Sequence, residues 1–167
     1  MTEAEIHIVH AADIHLDSPL RGLGRLSDDD LANRLRLATR SAFDNLIDHC
    51  LTTKPDALIL AGDLYDGDWR DYSTGVYFTD RMRDLDDAGI PVVLVRGNHD
   101  AESVISRSLT LPANVAQLRT DRPETKVFED AGLAVHGQGF ATKAVSANLA
   151  LDYPAPIPGL INVGVLH

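Results

Sequence analysis

The chain has 167 residues, 44% of them hydrophobic and 24% charged, a composition typical of one globular domain with its own core. Its formal net charge of −10 disfavours broad, non-specific binding of nucleic acid through basic side chains. The single cysteine, Cys50, excludes an intrachain disulfide, no apolar run reaches the roughly 18 residues of a membrane span, and the N-terminus lacks a secretory pattern. We therefore expect a cytoplasmic protein without membrane contact.

The first half of the sequence alternates between apolar strands and amphipathic helices. A strand is predicted over residues 6–12. A helix begins at the capping residue Ser27, followed by the acidic residues 28–30, and ends before Pro55. A buried helical stripe is predicted from apolar residues that recur every three or four positions: Leu31, Leu35, Ala38, Ala42, Leu46 and Cys50.

Two further strands, at residues 57–61 and 91–95, flank a second helix predicted over about residues 71–88. This order of elements predicts a parallel sheet with right-handed crossovers. The second half contains shorter strand-like runs at residues 115–118, 126–128, 133–135 and 160–166. A small helix is predicted at residues 144–149, and a proline-rich loop follows at residues 153–159.

Side chains suited to metal binding follow each of the first three strands and the last one. In a parallel sheet these carboxyl ends lie side by side, so the residues are expected to converge at one edge. They are Asp13, His15, Asp63, Asn98, His99, Asp100 and His167. Asp-x-His or Gly-Asp alone is common in surface turns, whereas Gly-Asn-His-Asp after a buried strand is a much stronger signal. All three patterns in order, each at a strand end, are not expected of ordinary turns.

The mixture of carboxylate, imidazole and amide ligands suits Mn²⁺, Fe or Zn better than Ca²⁺. A carboxylate such as that of Asp63 can bridge two cations about 3.5–4 Å apart. Such a pair of ions clamps a phosphate and lowers the pKa of a bound water. Gly62 and Gly97 fit turns in which the backbone closely approaches a ligand.

These patterns resemble the first three motifs of the calcineurin-like metallophosphoesterases: Asp13-x-His15, residues 62–66 (Gly-Asp-Leu-Tyr-Asp) and residues 97–100 (Gly-Asn-His-Asp). Residues 10–20 are similar to the SbcD-type DNA repair exonuclease branch, and to its YhaO-like subgroup in particular. Residues 137–140 and 163–167 resemble later landmarks of the family. The resemblance implies an α/β fold, the calcineurin-like α/β/β/α sandwich.

The resemblance also implies a role for each residue. Asp13 and His15 would bind a first metal ion, Asp63 would bridge both ions, and Asn98 and His167 would bind the second. The two divalent ions are expected to be Mn²⁺, with Fe or Zn as alternatives. His99 would act on the phosphate and the leaving oxygen, and Asp100 would orient His99 by accepting from its ring.

The family carries a further Gly-His-x-His motif after the position of His167, so the chain is expected to be a truncated, C-terminally incomplete portion (residues 1–167) of the nuclease domain. The family implies DNA as substrate, a coiled-coil ATPase partner and a homodimer. Two alternatives stay open: a phosphatase or phosphodiesterase acting on small phosphoesters, and an inactive fragment with one weakly held metal.

Four residues in the loops after the first two motifs could contact DNA, or they could be ordinary solvated loop residues. They are Arg21, Arg25, Trp69 and Arg70.

Overall fold

The structure, a computed structural model, describes residues 5–18, 29–66, 72–103 and 109–167. Its first part contains β1 (Ile8–Ala11), α1 (Asp29–Thr53), β2 (Ala57–Ala61), α2 (Tyr72–Asp87), β3 (Val92–Val95) and α3 (Asn98–Glu102). Its second part contains β4 (Val115–Gln117), β5 (Glu124–Phe128), β6 (Leu133–Gly137), a 3-10 helix (Leu149–Asp152) and β7 (Ile161–Val165). The DNA-contact hypothesis for residues 21, 25, 69 and 70 lies outside the described residues.

The strands form two sheets. The first sheet is parallel throughout, in the order β1-β2-β3-β4, with Ala11 opposite Leu60 and Ala61 opposite Val95. The second has the order β5-β6-β7, in which β5 pairs antiparallel and β7 parallel with β6. The predicted parallel sheet is confirmed, and its three leading strands end at the same edge.

Two apolar cores lie on opposite faces of the first sheet. On one face, Leu58 and Leu60 of β2 pack against Phe43 of α1 and Phe78 of α2. On the other face, their neighbour Ile59 packs in a cluster that includes residues of β6 and β7. This alternation along one strand is what a sheet covered on both sides requires. The described layers are therefore helix, sheet and sheet, and no second helical layer is among the described residues.

Of the buried stripe predicted for α1, only Cys50 is buried and Leu46 is partly buried, whereas Ala38 and Ala42 are exposed. Phe43, Ile47 and Cys50 are buried, whereas Leu31 and Leu35 are 39% and 36% exposed. A 25-residue helix is about 37 Å long, whereas strands of four or five residues span only about 17 Å. The helix is therefore longer than the sheet on which it packs, and Leu31 and Leu35 lie in its first half.

One local prediction was wrong. The short helix predicted at residues 144–149 is instead a 3-10 turn over Leu149–Asp152, which begins where the Asn148 side chain accepts from the backbone N–H of Ala150. Residues Asn98–Glu102 form the short helix α3, for which no element was predicted from the sequence. Among the described helices, none is long and apolar enough to cross a membrane.

Candidate metal centre

The loops after β1 and β2 are joined by backbone hydrogen bonds at the edge where the parallel strands end. The N–H of Asp13 donates to the carbonyl of Gly62 (3.1 Å), and the N–H of His15 donates to that of Asp63 (3.0 Å). Asp13, His15 and Asp63 have φ values of 53°, 46° and 51°, in the left-handed region that non-glycine residues seldom adopt. Such conformations cost on the order of 1–3 kcal/mol each and persist where the surroundings impose them.

Asp63 lies at the centre of the predicted ligands. Its side chain is buried, and its Oδ1 accepts from the backbone N–H of His99 at 2.9 Å. Its Oδ2 is 3.4 Å from Nε2 of His167 and 3.9 Å from Nε2 of His15. The carboxylate of Asp63 therefore lies between two imidazoles, with the exposed Asp13 joining it and His167 in one group of candidate metal-binding atoms.

Both imidazoles engage an acceptor through Nδ1 and present Nε2 to Asp63. Nδ1 of His15 is 2.8 Å from Oδ1 of Asp66, and Nδ1 of His167 is 3.0 Å from the carbonyl oxygen of Ala61. A carbonyl can only accept, so Nδ1 of His167 carries the proton and Nε2 of the neutral ring is an acceptor. This Nε2 faces Oδ1 of Asn98 at 3.1 Å as well as Asp63.

The unprotonated nitrogen, the amide oxygen and the carboxylate oxygen all carry lone pairs and face one another. Such a group of atoms suits a cation as ligands. Metal-binding histidines commonly donate their other ring N–H to a carboxylate or a backbone carbonyl, which sets the tautomer and the ring orientation. His15 and His167 both have this arrangement. The residues present therefore fit a site for divalent metal ions.

Two glycines allow the site to be assembled at close range. A Cβ at Gly97 would lie 2.2 Å from Oδ1 of Asp63, and a Cβ at Gly62 would lie 2.3 Å from Nδ1 of His167. Gly62 also has a φ of 87°, which favours glycine, whereas Gly97 has an ordinary φ of −86°. Both glycines thus lie against proposed metal-binding side chains, although only Gly62 also needs the conformational freedom.

The contacts of Asp100 contradict the expectation that it accepts from the ring of His99. Asp100 is buried, and its carboxylate accepts from the backbone N–H groups of Leu64 (3.2 Å), Tyr65 (2.9 Å) and Gly97 (3.0 Å). Burial raises the pKa of Asp100, against the effect of these three hydrogen bonds. Both oxygens of Asp100 thus accept hydrogen bonds from backbone amides, and these amides belong to two loops. Asp100 therefore links the loop after β2 to the loop after β3.

The ring of His99 instead lies beside Asp66, with Nδ1 3.2 Å from Oδ1 of that carboxylate. The side chain of His99 is 38% exposed, so a substrate can reach the ring. Burial opposes ionisation of Asp66, but hydrogen bonds from Ser18 and His15 and the nearby His99 hold its pKa below the usual range. Sequence reasoning gave Asp66 no role, although it lies three positions after Asp63 in the second motif.

The other histidines and the cysteine lie elsewhere. His136 is buried in β6, where its ring contacts Thr125 at 2.7 Å and Asn162 at 2.9 Å, as a hydrogen-bonded core histidine would. His10 is exposed on β1. Cys50 is buried in the helix–sheet core, and burial raises the pKa of its thiol.

The sequence matches the calcineurin-like phosphoesterase family over residues 6–160. It is 29% identical over 166 residues to the uncharacterized metallophosphoesterase YhaO of Bacillus subtilis, covering 98% of this chain and 40% of that protein. It is 34% identical over 105 residues to the DNA double-strand break repair protein Mre11 of Aeropyrum pernix (61% of this chain, 23% of that protein). It is 28% identical over 96 residues to a subunit of the nuclease SbcCD of Staphylococcus saprophyticus (57% of this chain, 23% of that protein). The chain thus spans less than half the length of these relatives.

Proposed function

The chain belongs to the calcineurin-like phosphoesterase family, which implies hydrolysis of phosphoester bonds, and we propose that the whole protein is a two-metal DNA nuclease. One observation carries the metal part of the proposal. Two histidines from distant parts of the chain each engage an acceptor through Nδ1 and face the buried carboxylate of Asp63 through Nε2.

In this proposal, Asp13 and His15 would hold a first divalent ion, Asn98 and His167 would hold a second, and Asp63 would serve both. The ions, proposed to be Mn²⁺ with Fe or Zn as alternatives, would activate a water and neutralise the charge of the phosphate. Imidazole and carboxylate ligands suit such transition metals. The strained backbone of the loops that carry Asp13, His15 and Asp63 supports a functional site at this edge.

His99 is proposed to act on the substrate itself. Its backbone N–H donates to Asp63, and its partly exposed ring lies beside the proposed metal ligands, with Nδ1 next to Asp66. From this position a protonated ring could stabilise charge on the phosphate and transfer a proton to the leaving oxygen. The chain would thus bind the ions and protonate the leaving group at one edge of the sheet.

DNA as the substrate is supported by the two relatives whose names describe nuclease or DNA repair proteins. One of these relatives is named as a subunit, which supports the proposal that this protein also has a partner protein. We propose that the partner is a coiled-coil ATPase and that this chain forms a homodimer. The net charge of −10 is the observation that favours the alternative, a phosphatase or phosphodiesterase acting on small phosphoesters. Bound divalent cations would locally reverse that charge.

The test measures Mn²⁺ bound per chain and Mn²⁺-dependent hydrolysis of single-stranded DNA and of bis(p-nitrophenyl) phosphate. Because the chain spans 40% of the length of the Bacillus relative, the 167-residue chain and the whole product of its gene are assayed side by side. We expect Asp63→Asn to abolish metal binding and turnover of both substrates. The exposed Asp87→Asn on α2 is the matched control and should change neither.

The outcomes separate the functions. If the whole protein cleaves neither substrate, both enzymatic functions are wrong, and a non-catalytic protein remains. If only the small ester is hydrolysed, the nuclease proposal is wrong and the phosphodiesterase alternative is supported. His99→Ala should slow hydrolysis without loss of bound metal, whereas the exposed His49→Ala on α1 should leave both quantities unchanged.

A further inference from the structure

Asp17 is the third residue of the loop after β1 that has a left-handed backbone. Its φ is 56°, and the φ values of Asp13 and His15, at alternate positions before it, are 53° and 46°. The N–H groups of Asp13 and His15 donate to carbonyls of the loop after β2, whereas the N–H of Asp17 donates to Oγ1 of Thr39 on α1 (3.1 Å). Such conformations persist where the surroundings impose them, so the contacts of Asp17 help to impose the shape of this loop.

The carboxylate of Asp17 is held by side chains from both long helices. Oδ1 accepts from Nε of Arg40 and Oδ2 accepts from Nη2, each at 2.6 Å, so the guanidinium and the carboxylate form two parallel hydrogen bonds. Oδ2 also accepts from Oγ1 of the buried Thr74 on α2 at 2.6 Å. The side chain of Asp17 is only 13% exposed, which limits screening of the ion pair by solvent. We call Asp17, Arg40 and Thr74 the loop clamp.

Arg40 is itself held against α2. Its guanidinium carbon lies 4.6 Å from the centroid of the Tyr77 ring, within the range of a cation–π interaction. The hydroxyl of Tyr77 donates to Oδ1 of Asp44 on α1 at 2.5 Å, and the Tyr77 side chain packs against the helix–sheet core. The loop clamp is therefore anchored to two helices that are packed on the first sheet.

The loop after β1 is thus attached to two parts of the fold. Leu16, between His15 and Asp17, is fully buried, and its N–H donates to a carbonyl of the loop after β2 at 2.9 Å. His15 is only two residues before Asp17, at most about 7 Å along the chain, so a displacement of Asp17 also displaces His15. Asn98 and His167 follow other strands, β3 and β7, so the loop clamp acts on the proposed ligands of the first ion.

We propose that Asp17 is a positioning residue: the loop clamp fixes Asp13 and His15 in the arrangement that the first ion requires. Asp17 belongs to neither group of candidate metal-binding atoms found among the described residues, so it acts through the loop and not as a ligand. The consequence for metal binding rests on the proposed two-metal function, whereas the effect on the loop does not. The competing explanation is that the loop clamp contributes only to the stability of the whole fold.

The first experiment measures the backbone order of the loop by nitrogen-15 relaxation NMR of the metal-free 167-residue chain. The amides of Asp13, His15 and Leu16 should have order parameters of about 0.85 in the unaltered chain, as in rigid backbone. In Asp17→Asn they should fall towards about 0.6, because an amide cannot form the charged pair with the guanidinium and the loop is no longer held to the helices. The order parameters of β2 should stay unchanged.

Two further variants complete this experiment. Thr74→Val removes one hydrogen bond at nearly unchanged shape, so it should loosen the loop less, and it decides the outcome if Asp17→Asn does not fold. The matched control, Asp80→Asn, removes the carboxylate that pairs with the exposed Arg83 on α2 and should leave the loop rigid. A loop that stays as rigid as in this control, while the free energy of unfolding falls, would show that the loop clamp only stabilises the fold and would overturn the proposal.

The second experiment uses the whole protein and follows hydrolysis of bis(p-nitrophenyl) phosphate as the Mn²⁺ concentration is raised. In Asp17→Asn the half-activating Mn²⁺ concentration should rise about 10–100-fold, because loss of a residue that orients metal ligands weakens metal binding by such factors. Saturating Mn²⁺ should largely restore the rate. His99→Ala should show the reverse, a lower rate at an unchanged half-activating concentration.

The outcomes of the second experiment distinguish the two proposals. An unchanged half-activating concentration in Asp17→Asn would contradict the link between the loop clamp and the first ion. Inactivity of the unaltered whole protein would refute the proposed function and leave the NMR result on the loop standing.

Discussion

Replacing Gly97 with alanine tests whether the candidate metal centre depends on close approach of the backbone. The φ of Gly97 is −86°, which alanine adopts without strain, so the effect of the substitution is steric. The added Cβ would lie 2.2 Å from Oδ1 and 2.5 Å from the backbone nitrogen of Asp63. Ordinary contact therefore requires Asp63 to move by about 1 Å, and overpacking of this kind costs about 1–3 kcal/mol.

A shift of that size acts on the carboxylate proposed to contact both ions. A misplacement of about 1 Å in a catalytic site lowers activity on the order of 10²-fold, and we expect Mn²⁺ affinity to fall as well. The measurements are the free energy of unfolding in urea, the Kd for Mn²⁺ by calorimetry, and the rate of diester hydrolysis by the whole protein.

The matched control is Gly164→Ala on β7, whose new Cβ would come no closer than 3.9 Å to the ring of Tyr153. This variant should retain the stability, the Mn²⁺ affinity and the activity of the unaltered protein. If Gly97→Ala matches it in Mn²⁺ affinity and in the free energy of unfolding, Asp63 does not occupy the position described and the reasoning is refuted.

Four further predictions concern three buried groups. The hydroxyl of Tyr65 has no hydrogen-bond partner among the described residues, so Tyr65→Phe should raise the free energy of unfolding by about 1 kcal/mol. If the substitution instead lowers the free energy of unfolding by that amount, the hydroxyl does have a hydrogen-bond partner. Burial raises the pKa of Tyr65, so as the pH rises the phenol ionises in the unfolded chain before it ionises in the folded one. The free energy of unfolding, measured by urea titration, should therefore fall above about pH 10, and it should fall less steeply in Tyr65→Phe. The buried thiol of Cys50, its pKa raised, should react with a disulfide reagent only after unfolding, and fast labelling of the native protein would contradict its burial. Asp100→Ala should lower the free energy of unfolding by more than about 3 kcal/mol, because three backbone amides lose their acceptor. A variant that keeps its stability and loses only catalysis would instead support the expectation that Asp100 orients the ring of His99.

The sequence alone predicted the central strands and the residue types at their ends. Ala57–Ala61 was predicted with its observed bounds, because an apolar run closed by Gly62 is a local signal. The meeting of Asp13, Asp63 and Asn98 at one edge followed from parallel strand order, which the alternation of strands and helices indicates. The proposed roles of these residues stay predictions.

Only the tertiary structure decided which partner each polar group has. Asp66 meets His15 across 51 positions, and His167 reaches the carbonyl of Ala61 across 106 positions. Such contacts depend on how loops and sheets pack, to within a fraction of an ångström, whereas sequence patterns report only periodicity and turn chemistry. The same reason explains why the role expected of Asp100 was wrong. Asp100 is next to His99 in the sequence, but its carboxylate is buried between two loops and accepts from three backbone amides there.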